Sequence, residues 1–199
     1  MSFRPSRPVF AAALLALALP VAAQQFSDSY NFLKAVRDQD GNKVTEFLNQ
    51  PGQTIVNAKD DKGEAAIHIV SKRRDQTYLN FILARGGNVN LQDGGGNTAL
   101  MIAVEAAWPE GVTLLLAKRA SINLANNGGE TPLIRAVQRR DADMVRTLLN
   151  AKADPDQRDR LAGMNAPDYA ARDTRSPVVA QLLKDAPALQ KRAVSGPSF

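Results

Sequence analysis

The sequence repeats itself with a step of 33 residues. Asp60, Asp93, Asn126 and Asp159 keep that step, as do Asn57, Asn90, Asn123 and Asp156, and again Gly63, Gly96 and Gly129. A unit this short cannot bury its own apolar face, so the units must stack and share one core that runs along the array. The period therefore predicts an array of small units.

Inside each unit the apolar spacing is helical. Leu100, Ala103 and Val104, and Leu133, Ala136 and Val137, fall at i, i+3 and i+4 and make the stripe of a first helix. About twelve residues on, Val112, Leu115 and Leu116, and Val145, Leu148 and Leu149, repeat the spacing for a second. Thr98 and Thr131 stand where first helices begin, so each hydroxyl can accept from a backbone N–H of the first turn, and Pro132 suits the first helical position because its missing N–H would be unpaired there. The second unit has Ala65 and Ala66 at these positions. It lacks the cap and is expected to be the softest interior unit. The recurrent glycines and asparagines suit tight turns projecting between units.

These motifs resemble the ankyrin repeat, with its period of 33 and its T-P-L-H-x-A marker. Thr131-Pro132-Leu133 keeps three marker residues and His68 a fourth, while Gly86-Gly87-Asn88-Val89-Asn90 and Arg119-Ala120-Ser121-Ile122-Asn123 are similar to the family's G-A-x-V-N segment. The resemblance covers about residues 27–186. It implies an all-α solenoid of stacked helix-turn-helix units joined by short β-hairpins or loops. Residues 24–59 read as a divergent N-terminal capping unit, 60–92, 93–125 and 126–158 as repeats, and 159–187 as a divergent C-terminal cap whose marker Asn165-Ala166-Pro167 is displaced by one residue. Residues 188–199 read as a loose tail.

The N-terminus has a different character. Arg4 and Arg7 precede eleven apolar residues, Val9 to Leu19, and then Pro20 and Val21-Ala22-Ala23. Basic residues, a short apolar run and small residues at the cleavage position are the layout of a secretory signal, and eleven residues are too few to span a bilayer. Residues 1–23 are expected to be cleaved after Ala23 and the protein to work in a bacterial periplasm. Cleavage would remove two of the five surplus positive charges.

Composition narrows the chemistry. With no Cys and a single His, thiolate chemistry, Cys-ligated metals and His-rich metal sites are ruled out. His68 occupies a marker position at which family histidines bond to neighbouring loop backbone, which makes it structural. The runs Gly94-Gly95-Gly96 and Gly128-Gly129 lack the residues of a phosphate loop and read as hairpin tips. Asp60, Asp61 and Asp93 read as turn residues and not as a cation site. No nucleophile, base and orienting group recur together, so no enzyme, cofactor or metal is expected. The mild charge and few aromatic residues argue against nucleic acid.

The resemblance implies a non-enzymatic protein-binding module, expected to be a monomer without stable membrane insertion, whose partner is another exported protein. Family members bind through a concave groove of hairpin tips and first-helix faces. The corresponding positions are Asp61, Lys62, Glu64, Lys72 and Arg73 in the second unit, Gly94, Gly95, Asn97, Glu105 and Ala106 in the third, and Asn127, Gly128, Glu130, Gln138 and Arg139 in the fourth. Trp108 joins these candidates with two readings open: an exposed interface anchor, or a local cover over a turn. Basic residues also gather where first helices end, at Arg37, Lys72, Arg73, Arg74, Arg139, Arg140, Arg172 and Arg175. This ridge could orient an acidic partner, could hold an anionic envelope polymer or membrane surface, or could be ordinary solvated surface.

Overall fold

The structure, a computed structural model, describes residues 21–50 and 55–186, with side chains described from residue 28 onward. The apolar run and the basic residues of the N-terminal segment, and residues 188–199, lie outside the described residues. Five helix pairs follow one another: α1 (Val21–Asp38) with α2 (Gly41–Asn49), α3 (Ala66–Lys72) with α4 (Gln76–Ala84), α5 (Ala99–Glu105) with α6 (Pro109–Ala117), α7 (Pro132–Gln138) with α8 (Ala142–Asn150), and α9 (Ala166–Arg172) with α10 (Pro177–Asp185). α1 begins upstream of Ala23, the residue after which the sequence places a cleavage.

The first helices start where their caps dictate. Thr98 Oγ1 accepts from the Met101 N–H at 3.3 Å, and Thr131 Oγ1 from the Ile134 N–H at 3.2 Å. Asn165 and Asp168 form a reciprocal box, the Asn165 side chain accepting from the Asp168 N–H at 2.9 Å and the Asp168 carboxylate from the Asn165 N–H at 3.2 Å. Ala65 has no side-chain cap, as expected. The second helices use a different residue: Asp40, Asp75 and Asp141 each accept from a first-turn N–H.

First helices pack in one unbroken row, α1 on α3, α3 on α5, α5 on α7 and α7 on α9, while of the second helices only α8 and α10 pack on each other to a similar extent. The side of the stack that carries the first helices is thus the more tightly drawn together. The core runs between the two rows and is continuous from Phe32 and Val36 through Leu79, Leu100 and Leu115 to Leu133, Leu148 and Leu183.

Between units the chain turns back through a hairpin whose geometry rests on the 33-residue period. Asp60 Oδ1 accepts from the N–H groups of Lys62 and Glu64, Asp93 Oδ1 from those of Gly95 and Asn97, and Asn126 Oδ1 from those of Gly128 and Glu130. Gly63, Gly96 and Gly129 close these turns at φ of 73°, 78° and 80°, in the left-handed region that favours glycine. Pairing at the hairpin bases is limited to the isolated antiparallel bridges Lys59–Ala65 and Gln92–Thr98 among the described residues. Successive tips are joined by backbone bonds, from the Gly94 N–H to Lys62 O, the Asn127 N–H to Gly95 O, and the Arg160 N–H to Gly128 O. A second period ties units on the other side: Asn57, Asn90 and Asn123 accept from the N–H groups of Asn88, Ser121 and Asp154, each 31 residues on.

Candidate functional site

The face formed by hairpin tips and first helices collects most of the sequence-predicted contacts, and the structure divides them into exposed and committed groups. Asp61 and Lys62 project from the hairpin tip of the second unit, and Gln138 and Arg139 lie exposed at the end of α7. Lys72 and Glu64 are ion-paired, with Glu64 also near Arg37, which itself pairs with Asp60. Burial works against the ionised form of Asp60, but the backbone N–H groups of Glu64 and Lys62, joined by Arg37, outweigh it and leave the carboxyl below its ordinary value.

A polar ladder crosses the middle of the face. Asn97 bonds to Asp93 through its amide N–H and accepts from Asn126 at 3.2 Å; Asn126 also donates to Glu130 at 3.0 Å. Glu130 then receives Arg135 at 2.9 Å and Gln138 at 3.2 Å, and the other arm of Arg135 reaches Glu105 at 3.4 Å. Asn97, Glu130 and Asn127, which donates to Gly94 O at 3.0 Å, are thus partly spent on holding units together. Beside the ladder lies a cavity of about 250 Å³, walled by Lys72, Asp93 and Glu105 over a floor of Met101, Ile102 and Ala106. Of the small residues at the third unit's groove positions, Ala106 lines it, and Gly94 and Gly95 lie outside its lining.

Arg73 is committed within the fold, and Trp108 departs from an exposed anchor. Arg73 is half-buried and donates to the carbonyl oxygens of Val36, at 2.6 Å, and Arg37, satisfying the last turn of α1, while also pairing with Asp75 and lying 5.4 Å from the centre of the Tyr78 ring. It is a strut between the first two units. Trp108 is 5% exposed, which selects the cover over the anchor: it stands at the N-cap of α6 without a cap bond and its ring lies on Gly111. A buried indole at this position cannot anchor a partner.

His68 is fully buried. It accepts at Nδ1 from the Ala65 N–H at 3.0 Å and donates from Nε2 to Leu91 O at 2.9 Å, which fixes the neutral tautomer and joins α3 to the hairpin that follows α4. This is the structural role expected of it.

The basic ridge is neutralised in part, four carboxylates standing against its eight cations. Arg37 is matched by Asp60, Lys72 by Glu64 and Arg73 by Asp75, and Asp173 receives both Arg140, at 2.5 Å, and Arg175, at 2.8 Å. Hydrogen bonds from Arg175 and then Arg140 hold the Asp173 carboxyl well below the usual carboxylate range. Arg74, Arg139 and Arg172 form no ion pair among the described residues. Around Asp173 a second cavity, of about 560 Å³, opens between α7 and α9 and is walled by Gln138, Arg140, Tyr169, Arg172 and Arg175. The Tyr169 hydroxyl donates to Asp159 at 2.8 Å, and burial followed by this bond raises its pKa.

The sequence signals that found these positions were the period and the helix ends. The second cavity was not foreseen because Tyr169 and Asp173 carry no motif. The capping aspartates Asp40, Asp75 and Asp141 stand at second-helix starts, where a carboxylate ahead of an apolar stripe is the sequence signal for them.

A stack of capped helix pairs joined by hairpins, with an open face of tips and first helices, defines a repeat-built binding scaffold. The sequence matches the ankyrin-repeat family in three overlapping stretches, residues 32–126, 67–159 and 112–192, and the chain belongs to that family. No curated protein matches the sequence. Ankyrin repeats generally mediate protein–protein interaction, and the family is typically non-enzymatic. No described helix is long and apolar enough to cross a membrane.

Proposed function

We propose that the protein is an exported binding module that holds another exported protein on the face of hairpin tips and first helices. The observation that carries this reading is the central cavity of about 250 Å³: an apolar floor of Met101, Ile102 and Ala106 ringed by Lys72, Asp93 and Glu105. That composition suits a protruding side chain of a folded partner, since interface cores combine apolar contact with a few placed polar groups. Export rests on the N-terminal layout of Arg4, Arg7, Val9 to Leu19 and Ala23, and the periplasm is the compartment this reading assigns.

The full chain carrying a C-terminal tag, produced in a bacterium and cross-linked before fractionation, tests both halves. The released protein should begin at Gln24. It should capture a discrete partner that an Ile102→Glu, Ala106→Arg variant, made at two partly exposed lining positions and checked for unchanged melting, loses. A protein that keeps Arg4 and stays in the cytoplasm refutes export, and capture unaffected by the variant refutes the face.

A further inference from the structure

The charges on the binding face are segregated along the stack. In its middle stand Asp93, Glu105 and Glu130, and among the described residues the one cation bonded to this group is Arg135, which pairs with Glu105 and Glu130, while Lys72 is taken by Glu64. At its C-terminal end the larger cavity, about 560 Å³, is walled by Arg140, Arg172 and Arg175 against the single carboxylate of Asp173. Arg139 lies exposed beside it. Asp173 occupies Nε of Arg140 and both Nε and one Nη of Arg175, while Arg172, among the described residues, bonds only to the Met164 sulfur, at 3.2 Å. The Asp173 side chain is spent on the walls. What remains for a visitor is the guanidinium of Arg172, apart from its contact with Met164, and the unused Nη groups of Arg140 and Arg175, three arginines that line one cavity together with Val137, Tyr169 and Thr174.

We infer that this cavity receives a short cluster of carboxylate side chains, Asp or Glu, on the partner protein. The inference rests on the proposed protein-binding function and specifies the partner's chemistry. Guanidinium groups are the side chains best matched to carboxylates, since the planar fork gives two parallel N–H donors to two oxygens. The acidic middle of the face sets the length. Packed helices lie about 8–10 Å apart, so α5, which carries Glu105, is about 16–20 Å from α9, a distance an extended segment covers in roughly six residues. A uniformly anionic polymer laid along the face would meet Asp93, Glu105 and Glu130 within that distance. A protein segment acidic only at one end would not.

The test uses the full chain and three fluorescein-labelled hexapeptides, Glu-Glu-Glu-Gly-Ser-Gly, alternating Gly and Ser, and Lys-Lys-Lys-Gly-Ser-Gly, read by fluorescence anisotropy in dilute salt. The peptide acidic at one end should bind at least tenfold more tightly than either other peptide. The Arg172→Gln, Arg175→Gln double variant should lose that advantage, Arg172→Lys, Arg175→Lys should keep part of it, and Arg74→Gln, which removes an exposed arginine far from the cavity, should leave it unchanged. Equal binding of all three peptides, or an equal loss in the Arg74→Gln variant, overturns the proposal. So does tighter binding of polyphosphate or of phosphatidylglycerol vesicles that depends on the same two arginines, which would assign the cavity to a phosphate-bearing ligand. A partner captured through the middle of the face and indifferent to Arg172→Gln, Arg175→Gln refutes this inference alone; absence of any partner refutes the broader reading.

Discussion

The Trp108 ring occupies the space that a side chain at Gly111 would fill. A Cβ built on Gly111 would lie 2.1 Å from Trp108 Cε3. One period away in either direction the same two positions hold Asp75 with Tyr78 and Asp141 with Met144, a capping aspartate with a large side chain three residues on. The third unit has exchanged that pair for the reverse arrangement, a large residue at the cap and none in the helix. Gly111→Met alone should drive the indole out, destabilising by about 1–3 kcal/mol as overpacking does, and Trp108→Asp alone should empty a buried site at a cost of about 3–5 kcal/mol. The double variant restores the neighbours' pattern and should fall well short of the sum, with a coupling above about 1 kcal/mol. Strict additivity in urea melts would show that the two residues are independent.

That pair also shows where sequence reading stops. Thr98, Thr131 and the apolar stripes were legible because a cap and a helical face are decided within a few residues, and the period repeats them until chance is excluded. The role of Trp108 depends on a side chain that is absent three residues later, and an isolated Trp before a Pro gives no hint of it. The commitment of Arg73 is not legible in the sequence because its acceptors, Val36 O and Arg37 O, lie a whole unit upstream. The Asn57, Asn90 and Asn123 period was plain, yet its purpose, accepting an N–H from the next unit, exists only after stacking. The cavity around Arg172 and Arg175 needed two adjacent helices to be placed before its charges could be seen to converge.

Left-handed backbone recurs where the sequence offers no glycine. Arg74, Ala107 and Arg140 turn between first and second helices at φ of 56°, 49° and 58°. After the second helices, Arg119 and Lys152 adopt φ of 64° and 71° where Gly86 takes 87°. A side chain there costs about 1–2 kcal/mol, partly offset by the lower chain entropy of a non-glycine residue when unfolded. Ala107→Gly should therefore raise stability by about 0.5–1 kcal/mol, and Gly86→Ala, whose new methyl meets nothing within 4 Å, should lower it by about as much. Opposite shifts in the denaturation midpoint are the expected result, and shifts of the same sign would contradict it.

Ala65 is the one interior first-helix cap without an oxygen. The equivalent Thr98 and Thr131 are 2% and 1% exposed, so their hydroxyls fit a site as closed as that of Ala65. Ala65→Thr should add about 1 kcal/mol, worth a rise of about 2–4 °C in a chain of this size. The gain should appear as slower amide exchange in α3 and α4 more than in α7 and α8, because the second unit is the one that lacks a cap. An unchanged melting temperature would mean that the bonds of His68 already satisfy the start of α3.

His68 makes the stability depend on pH in a window that no other side chain shares. Burial lowers its pKa below the ordinary 6.5, opposed by the bond to Leu91 O and by the charges of Asp93 and Glu64. The unfolded chain therefore takes up a proton before the folded chain does. The stabilisation is complete above pH 6.5 and is lost as pH falls through the folded value, with a slope of at most about 1.4 kcal/mol per pH unit. Asp60, Asp159 and Asp173 also have lowered values, so their contributions hold above 3.8 and decline only in stronger acid. Between pH 4.5 and 6.5 the slope should belong to His68, and His68→Gln, although less stable at pH 7.5 for want of a well-fitted bridge between Ala65 and Leu91, should show a flat profile there. A slope that survives the substitution would place the titrating group elsewhere.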